Sequence, residues 1–509
     1  MTKKSAAVRG SGGAWTAAWT LGIAASVWGC SAGGSRLDAL PENSASADVP
    51  PQREPELNSP PPLTAQAMEP TSADFIGDAE VPVSSTPAPA LRRGLTQRQV
   101  SCDGGATTSV SGTVYIPSGK LPLYNAMVYV PDGTLKPLTP GVSCNCEVSG
   151  EPIATALTDA NGHFVIENVP TGPNIPLVVQ VGDWRREFNI GSVQACADNP
   201  VPDQTLRLPS RQSEGDIPRI AVATGRLDAL ECLVRKLGIA DSEFTGERGG
   251  GRVTLFAGEG GTRSYATLNG GQGFPPAQAL WNDVDSLSQY DVVLMSCDGE
   301  RENVANKSEQ SFEAMYEYLN RGGRVFGSHY QSVWFSNGPE PLPSLAEYTD
   351  PEDGNARDLG DVDARVITSF PKGEALHQWL ANVGAASGQG DLTIEGAQHN
   401  ILRENPAYAQ RWIATDAPKE SVQYISANLP LGATDAEQCG RAVLSDIHLS
   451  EGIQGDDISD ESPDFNFPKG CVTSEFTPQE AVLAFMLFDL SACIVPDDVA
   501  PVAPPTILR

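Results

Sequence analysis

The chain has 509 residues, with 34 Lys+Arg against 64 Asp+Glu and a formal net charge of −30. At roughly 150 residues per folding unit this length predicts about two to four units, and a hydrophobic share of 40% is enough to build their cores. So acidic a chain lacks the basic face that releases counterions from nucleic acid, which excludes that partner; the acidity is read as solubility. The 50 Gly and 41 Pro imply long stretches outside helices. Ten cysteines occur without a CxxC pair, the nearest spacing being Cys144-x-Cys146, so no metal site and no cofactor is expected.

Lys3, Lys4 and Arg9 precede an uncharged apolar run, Ala14 to Trp28. That run is shorter than the ~20 residues needed to cross a bilayer, so residues 1–29 are read as a secretory signal. It ends Val27-Trp28-Gly29-Cys30-Ser31. This resembles the lipobox of bacterial lipoproteins, with Gly29 before an acylated Cys30, although Trp28 stands where a small residue is usual; simple cleavage is the alternative. The resemblance implies export and a membrane partner through an N-terminal lipid. Ser31 in place of Asp points to the outer membrane. Residues 30–100 are rich in Pro, Ala and Ser, as in Pro60-Pro61-Pro62, and are expected to be a disordered stalk.

From 101 to 209 short alternating strands follow without helices: Ser109 to Ile116, Ala126 to Val130, Thr155 to Thr158, His163 to Ile166, Ile175 to Val181 and Trp184 to Ile190. The turn Asp159-Ala160-Asn161-Gly162 supplies positive φ. The pattern predicts a β-sandwich. Gly112-Thr113-Val114, Thr158-Asp159-Ala160-Asn161-Gly162-His163-Phe164 and Val169-Pro170-Thr171-Gly172 resemble the carboxypeptidase regulatory-like domain, a transthyretin-like sandwich. The resemblance implies a non-catalytic stabilising or spacer module. Cys102, Cys144, Cys146 and Cys196 are expected to form two bridges inside it, by any of three connectivities.

Beyond a polar connector, residues 217–495 alternate strand and helix. Strands are predicted at Arg219 to Thr224, Val253 to Ala257, Asp291 to Cys297, Arg324 to Gly327 and Arg441 to Ile447; helices at Leu227 to Leu237, Ala277 to Leu287, Glu309 to Asn320 and Gln479 to Cys493. This predicts an α/β flavodoxin-like three-layer open parallel sheet. The stretch from Tyr330 to Cys439 is less regular, with a helix at Gly373 to Val383, and is expected to cover one end of the sheet. Residues 496–509 read as a flexible tail.

Ligands on such a sheet collect at the carboxyl ends of its strands. Those ends offer Gly258-Glu259-Gly260-Gly261, Ser296-Cys297-Asp298, Gly327-Ser328-His329-Tyr330-Gln331 and Asp446-Ile447-His448-Leu449-Ser450-Glu451. Together with Tyr290 to Leu294 and Gly322-Gly323-Arg324-Val325 they resemble the class I glutamine amidotransferase-like superfamily, of the trehalose-utilisation type. In that family a cysteine sits on a strand–helix elbow and is served by a downstream His-x-Glu. Here His329 holds the nucleophile position, Gln331 replaces the second glycine, and His448 to Glu451 is one residue too widely spaced. The resemblance therefore implies a degenerate site, and a cell-envelope protein with a binding or structural role. Its ligand would be an envelope polysaccharide or protein. The alternative is an exported hydrolase for carbohydrate or peptide, in which His329 and His448, with Glu451, Asp446 or Glu259, converge on a metal such as zinc or act as acid and base, with Glu259, Asp298, Ser328 and Asp446 lining the cleft.

Other signals take structural readings. The glycine-rich loops 246–251 and 258–261 lack a phosphate-loop Lys and are read as flexible. The acidic stretch from Asp456 to Asp464 does not fit an EF-hand and is read as a solvated loop. Trp334 and Phe335 either stack on sugar or fill the core. Cys439 is expected to bridge Cys471, and Cys297 to enter a disulfide in preference to serving as a reactive thiolate.

Overall fold

A computed structural model describes residues 94–144, 148–298, 306–349, 358–387, 391–449 and 475–506. The signal, Cys30, most of the stalk, Cys146, Glu451, Cys471 and the acidic loop lie outside the described residues. The fold is β-rich, with strands in three sheets and few helices.

The first part is built from β1 (Ser109–Tyr115), β2 (Met127–Pro131), β3 (Pro152–Leu157), β4 (His163–Glu167), β5 (Pro176–Val181), β6 (Trp184–Asn189), β7 (Asp198–Pro200) and β8 (Leu206–Arg207). One sheet runs β4-β1-β7 with β8 also on β1; the other runs β3-β2-β5-β6. In β4 the side chains of Phe164 and Ile166 are buried while His163, Val165 and Glu167 face out, the alternation of a half-buried strand. The Asn161-Gly162 turn joins the two sheets and is not a hairpin between paired strands. Asp159 accepts from the amides of Asn161 and His163 at 2.8 and 2.9 Å, and Gly162 adopts φ +70°. Residues 94–96, assigned to the stalk by composition, already pack here. Asp132 accepts from the Gly94 and Leu95 amides and from Thr96 Oγ1.

The second part contains β9 (Ile220–Ala223), α1 (Leu230–Lys236), β10 (Val253–Phe256), α2 (Gln278–Trp281), α3 (Val284–Leu287), β11 (Val292–Met295), α4 (Glu309–Asn320), β12 (Arg324–Ser328) and α5 (Val333–Ser336). It continues with β13 (Ala346–Tyr348), β14 (Asp358–Val366), α6 (Pro371–Asn382), β15 (Leu392–Gln398), β16 (Ile401–Glu404), β17 (Gln410–Thr415), β18 (Ser421–Leu429), β19 (Gly440–Ser445) and α7 (Pro478–Ser491). Five parallel strands lie in the order β10-β9-β11-β12-β19. Alternate residues of each strand divide between two cores. Ile220 and Val222 pack with α1 and α7, while Ala221 and Ala223 pack with α2 to α5. The single helix expected at 277–287 breaks in two, because Asp283 caps a new start by accepting from the Ser286 amide.

The region from 330 to 439 corrects the sequence reading. Most of it extends the sheet: β18 pairs antiparallel with β19, and β17, β14 and β15 continue from it. The sheet is therefore mixed, not wholly parallel. Residues 366–367 and 424–426, which read from sequence as short isolated strands, lie at the carboxyl end of β14 and the centre of β18.

Helix α7 is apolar on every side because it is enclosed. The sheet lies on one side and the sandwich on the other, with Phe485 stacked on Tyr124 at 5.4 Å and Phe488 against Trp184 at 5.7 Å. Its N-terminus carries a reciprocal cap between Thr477 and Glu480. No helix among the described residues is long and apolar enough to cross a membrane. The sandwich thus shares its core with the second part. The C-terminal segment is likewise held. Asp497 is buried against Arg441, and Thr155 donates to the Pro504 carbonyl at 2.9 Å.

Two disulfides correct the expected pairing. Cys102 bonds to Cys196, but Cys144 bonds to Cys439 across 295 positions, neither within the sandwich nor to Cys471. The cause is the path of the 135–151 excursion, which leaves the sandwich so that the Val142 amide donates to the Ser288 carbonyl. That docking brings Cys144 to the residue preceding β19. Cys232 and Cys493 are also disulfide-bonded, whereas Cys297 is a thiol, contrary to the bridge expected for it.

Candidate functional site

Because β9, β11, β12 and β19 run parallel, their carboxyl ends converge on one edge of the sheet. At that edge β12 ends on Ser328 and the chain turns at His329, which adopts φ +46° before the helical turn leading to α5. A left-handed conformation costs a non-glycine residue about 1–3 kcal/mol, so the surroundings must impose it. They do so through Gln331, which donates Nε2 to the Ser296 carbonyl at 2.8 Å and accepts from Trp334 Nε1 at 2.9 Å. A Cβ at Gly327 would lie 3.3 Å from Gln331 Cβ, so the glycine makes room for this brace.

The elbow presents His329 to two other groups. Its Nδ1 lies 3.2 Å from Cys297 Sγ, at the end of β11. Its ring meets that of His448, beyond β19, edge-on at 4.9 Å between centroids. The donor atoms of Cys297, His329 and His448 all lie within 4.8 Å of one another. Cys297 and His329 are buried; His448 is half-buried, with its Nε2 buried and without a hydrogen-bond partner among the described residues. Tyr330 stacks on the His329 ring at 3.8 Å. Gly225 permits the approach of the loop after β9, since a Cβ there would come within 2.3 Å of the Cys297 carbonyl.

Asp228, in that same loop, organises the pair of imidazoles. One carboxylate oxygen accepts from Ser328 Oγ at 2.5 Å and the other from the Leu449 amide at 3.2 Å. It therefore grips the residue before His329 and the residue after His448. Burial pushes the Asp228 carboxyl up, against the pull of His448 and of these donors. Burial pushes His448 down, opposed by the carboxylates of Asp228 and Asp358.

The remaining predicted residues face elsewhere. Asp298 pairs with Lys307 at 3.2 Å, both buried, and Lys307 lies over the rings of Trp281 and Trp334 at 5.3 and 5.4 Å. Burial raises the Asp298 carboxyl while Lys307 pulls it down. Asp446 accepts from the amides of Asn400 and Ile401 and from Asn400 Nδ2, fixing the start of β16. Glu259 accepts from Asn306 Nδ2 at 3.1 Å. Ser328 is committed to Asp228. Trp334 and Phe335 fill the core, each 1% exposed, so neither is a sugar platform. The loop at 258–261 is also no slack segment, for a Cβ on Gly258 would lie 2.0 Å from the Thr224 carbonyl. Of the predicted set, His329 and His448 come together. Sequence reasoning missed Cys297, assigned to a bridge, and Asp228, absorbed into a predicted helix. The one signal for Asp228 was its place just after a strand end.

No family model and no curated protein matches the sequence. Among solved structures, two mutants of a type II cohesin–X–dockerin complex from Acetivibrio cellulolyticus are 18% identical. They cover 24% and 26% of this chain and 78% and 85% of theirs, with TM-scores of 0.14 and 0.15. A 9R-lipoxygenase from Cyanothece PCC8801 is 8% identical over 69% of this chain and 45% of its own, with a TM-score of 0.10.

Proposed function

We propose that this chain is an exported lipoprotein of the cell envelope, anchored through Cys30, whose second part is a degenerate amidotransferase-like α/β domain serving binding and not glutamine hydrolysis. The observation that carries the reading is the elbow. A strand-to-helix turn with the left-handed backbone of a nucleophile elbow bears His329 where the amidotransferase family has its cysteine. The strand order agrees: numbered from β9, the five parallel strands run 2-1-3-4-5, the flavodoxin-like order. The first part serves as a regulatory-like sandwich, held to the second by a shared core and by the Cys144–Cys439 bond.

The test combines two measurements on the full chain expressed in a bacterial host. Metabolic palmitate labelling with fractionation should place labelled protein in the outer membrane, and Cys30→Ala should abolish both label and retention. A glutaminase assay should release no ammonia above the blank. Unlabelled, freely secreted protein, or glutamine hydrolysis lost in Cys297→Ala, overturns the proposal.

A second reading is favoured by the 3.2 Å contact of Cys297 Sγ with His329 Nδ1. It makes the chain an exported hydrolase in which His329 takes the thiol proton and His448 protonates the leaving group. A burst of product from an activated ester, abolished by Cys297→Ala, would establish that reading over the first.

A further inference from the structure

We propose that Cys297, His329 and His448 bind one divalent transition-metal ion of the zinc type, through one thiolate and one nitrogen of each imidazole, leaving a fourth position for water or a ligand. The inference rests on reading the strand-end cluster as a binding site, and it changes the ligand set that the sequence offered as an alternative, because the third donor is the Cys297 thiol and not a carboxylate. Three facts carry it. The donor set, one sulfur and two imidazoles, is one that zinc prefers. The spacing is near that of a tetrahedral ion: bonds of ~2.3 Å to sulfur and ~2.0–2.1 Å to nitrogen hold donors about 3.3–3.6 Å apart. Here the sulfur and one nitrogen are 3.2 Å apart and all three donors fall within 4.8 Å, so small ring rotations complete the geometry.

The third fact is the framework. His329 is held on a strained elbow, and Asp228 ties the neighbours of both histidines, so the imidazoles are placed by the backbone and not by contact with each other. Such outer groups orient ligands in metal sites. His448 Nε2, buried without a hydrogen-bond partner among the described residues, gains one by coordination. The oxidation pattern agrees. Six described cysteines are in disulfides, whereas Cys297 remains a thiol beside two imidazoles. On binding, the Cys297 S–H proton passes to solvent, a sulfur–metal bond forms, and nothing is oxidised or reduced.

The experiment uses the full chain with its disulfides intact, freed of metal by chelator. Zinc(II), cobalt(II) and copper(II) are then added separately, with stoichiometry read by equilibrium dialysis and elemental analysis. One equivalent of zinc or cobalt is expected, with a thiolate-to-cobalt charge-transfer band that Cys297→Ala abolishes. His448→Ala should weaken binding by more than about 100-fold, beyond the effect typical of an outer-shell residue. Because a buried-site variant can fail to fold, X-ray absorption at the zinc edge is also recorded on the unaltered chain; it should show one sulfur at about 2.3 Å beside nitrogen ligands. No bound metal, binding unchanged in both variants, a zinc edge without sulfur, or uptake of copper with zinc refused overturns the proposal. Lipid labelling at Cys30 requires no metal, so failure of the envelope reading and failure of this one are told apart.

Discussion

The two ends of the same parallel strands bury polar groups in opposite ways. At the amino end of β19, Arg441 lies 2.8 Å from Asp489 and 2.9 Å from Asp497, and Lys372 lies 2.9 and 3.1 Å from the same two carboxylates. Ser426 Oγ donates to Asp497 at 2.7 Å and Asn428 Oδ1 accepts from Arg441 at 2.7 Å. Two cations face two anions, so the network is closed in charge, although Arg441 Nε has no hydrogen-bond partner among the described residues. Burial works against the Asp497 carboxylate, yet Arg441 and Lys372 outweigh it and hold it at about 2. At the carboxyl ends, Cys297, His329 and His448 gather with no cation among them. The lesson is that burial alone does not mark a site. A polar cluster that balances its own charge holds a fold, whereas one made of converging donors is arranged for something else.

The comparison is broken most severely at the closed end. Asp497→Ala leaves Arg441 and Lys372 short of one anion in the interior, and we expect a loss of about 3–5 kcal/mol in denaturant unfolding. A loss under about 1 kcal/mol would mean the network contributes little. Next comes the clamp between the two parts of the molecule. Replacing Cys144 and Cys439 together by Ser should cost roughly 2–4 kcal/mol, with the 135–151 excursion becoming sensitive to proteolysis. Retained stability and protection would show that the shared core suffices.

A pH-dependent effect belongs to the carboxyl pair that joins the sandwich to the sheet, Asp183 before β6 and Asp291 before β11. Burial, and then the neighbouring Asp183 charge, push Asp291 up to about 8. The folded chain therefore keeps a proton that the unfolded chain surrenders near 3.9. Stability from this group is full below about pH 4 and is lost as pH rises towards 8. Denaturant midpoints should fall between pH 5 and 8, and Asp291→Asn should flatten that slope; a rising midpoint would reverse the assignment. The smallest effect is expected at the open end. His448→Ala should change unfolding free energy by less than about 1 kcal/mol, because a half-buried ring whose Nε2 has no hydrogen-bond partner among the described residues contributes little to folding. A large loss would place His448 with the structural residues and erase the contrast.

Much of the scaffold was legible beforehand. The helix at 309–320 was delimited by its own Ser308 cap and apolar face, and β9 to β12 by short aliphatic runs. The elbow was legible from Gly327 to Gln331, and the candidacy of His329 and His448 from their place after strands. Cys297 was misread because reading the chain as exported favoured disulfides, whereas it is a buried thiol beside His329. The strands from β13 to β18 were obscured because they interleave polar and apolar residues with bulges at 347, 411 and 413.

By itself the sequence determined the local things: the alternation that makes strands, the caps that begin helices, the aliphatic runs too buried to be loops, and an acidic surface. These depend on neighbours within a turn or two of chain. Tertiary structure alone decided that Cys144 meets Cys439, that the irregular region lengthens the sheet, and that Asp228 holds two distant histidines beside one thiol. Each of those outcomes depends on strand order, which brings together residues 100 or more positions apart, as Asp228 and Ser328 or Cys297 and His448 are, and which no local period encodes.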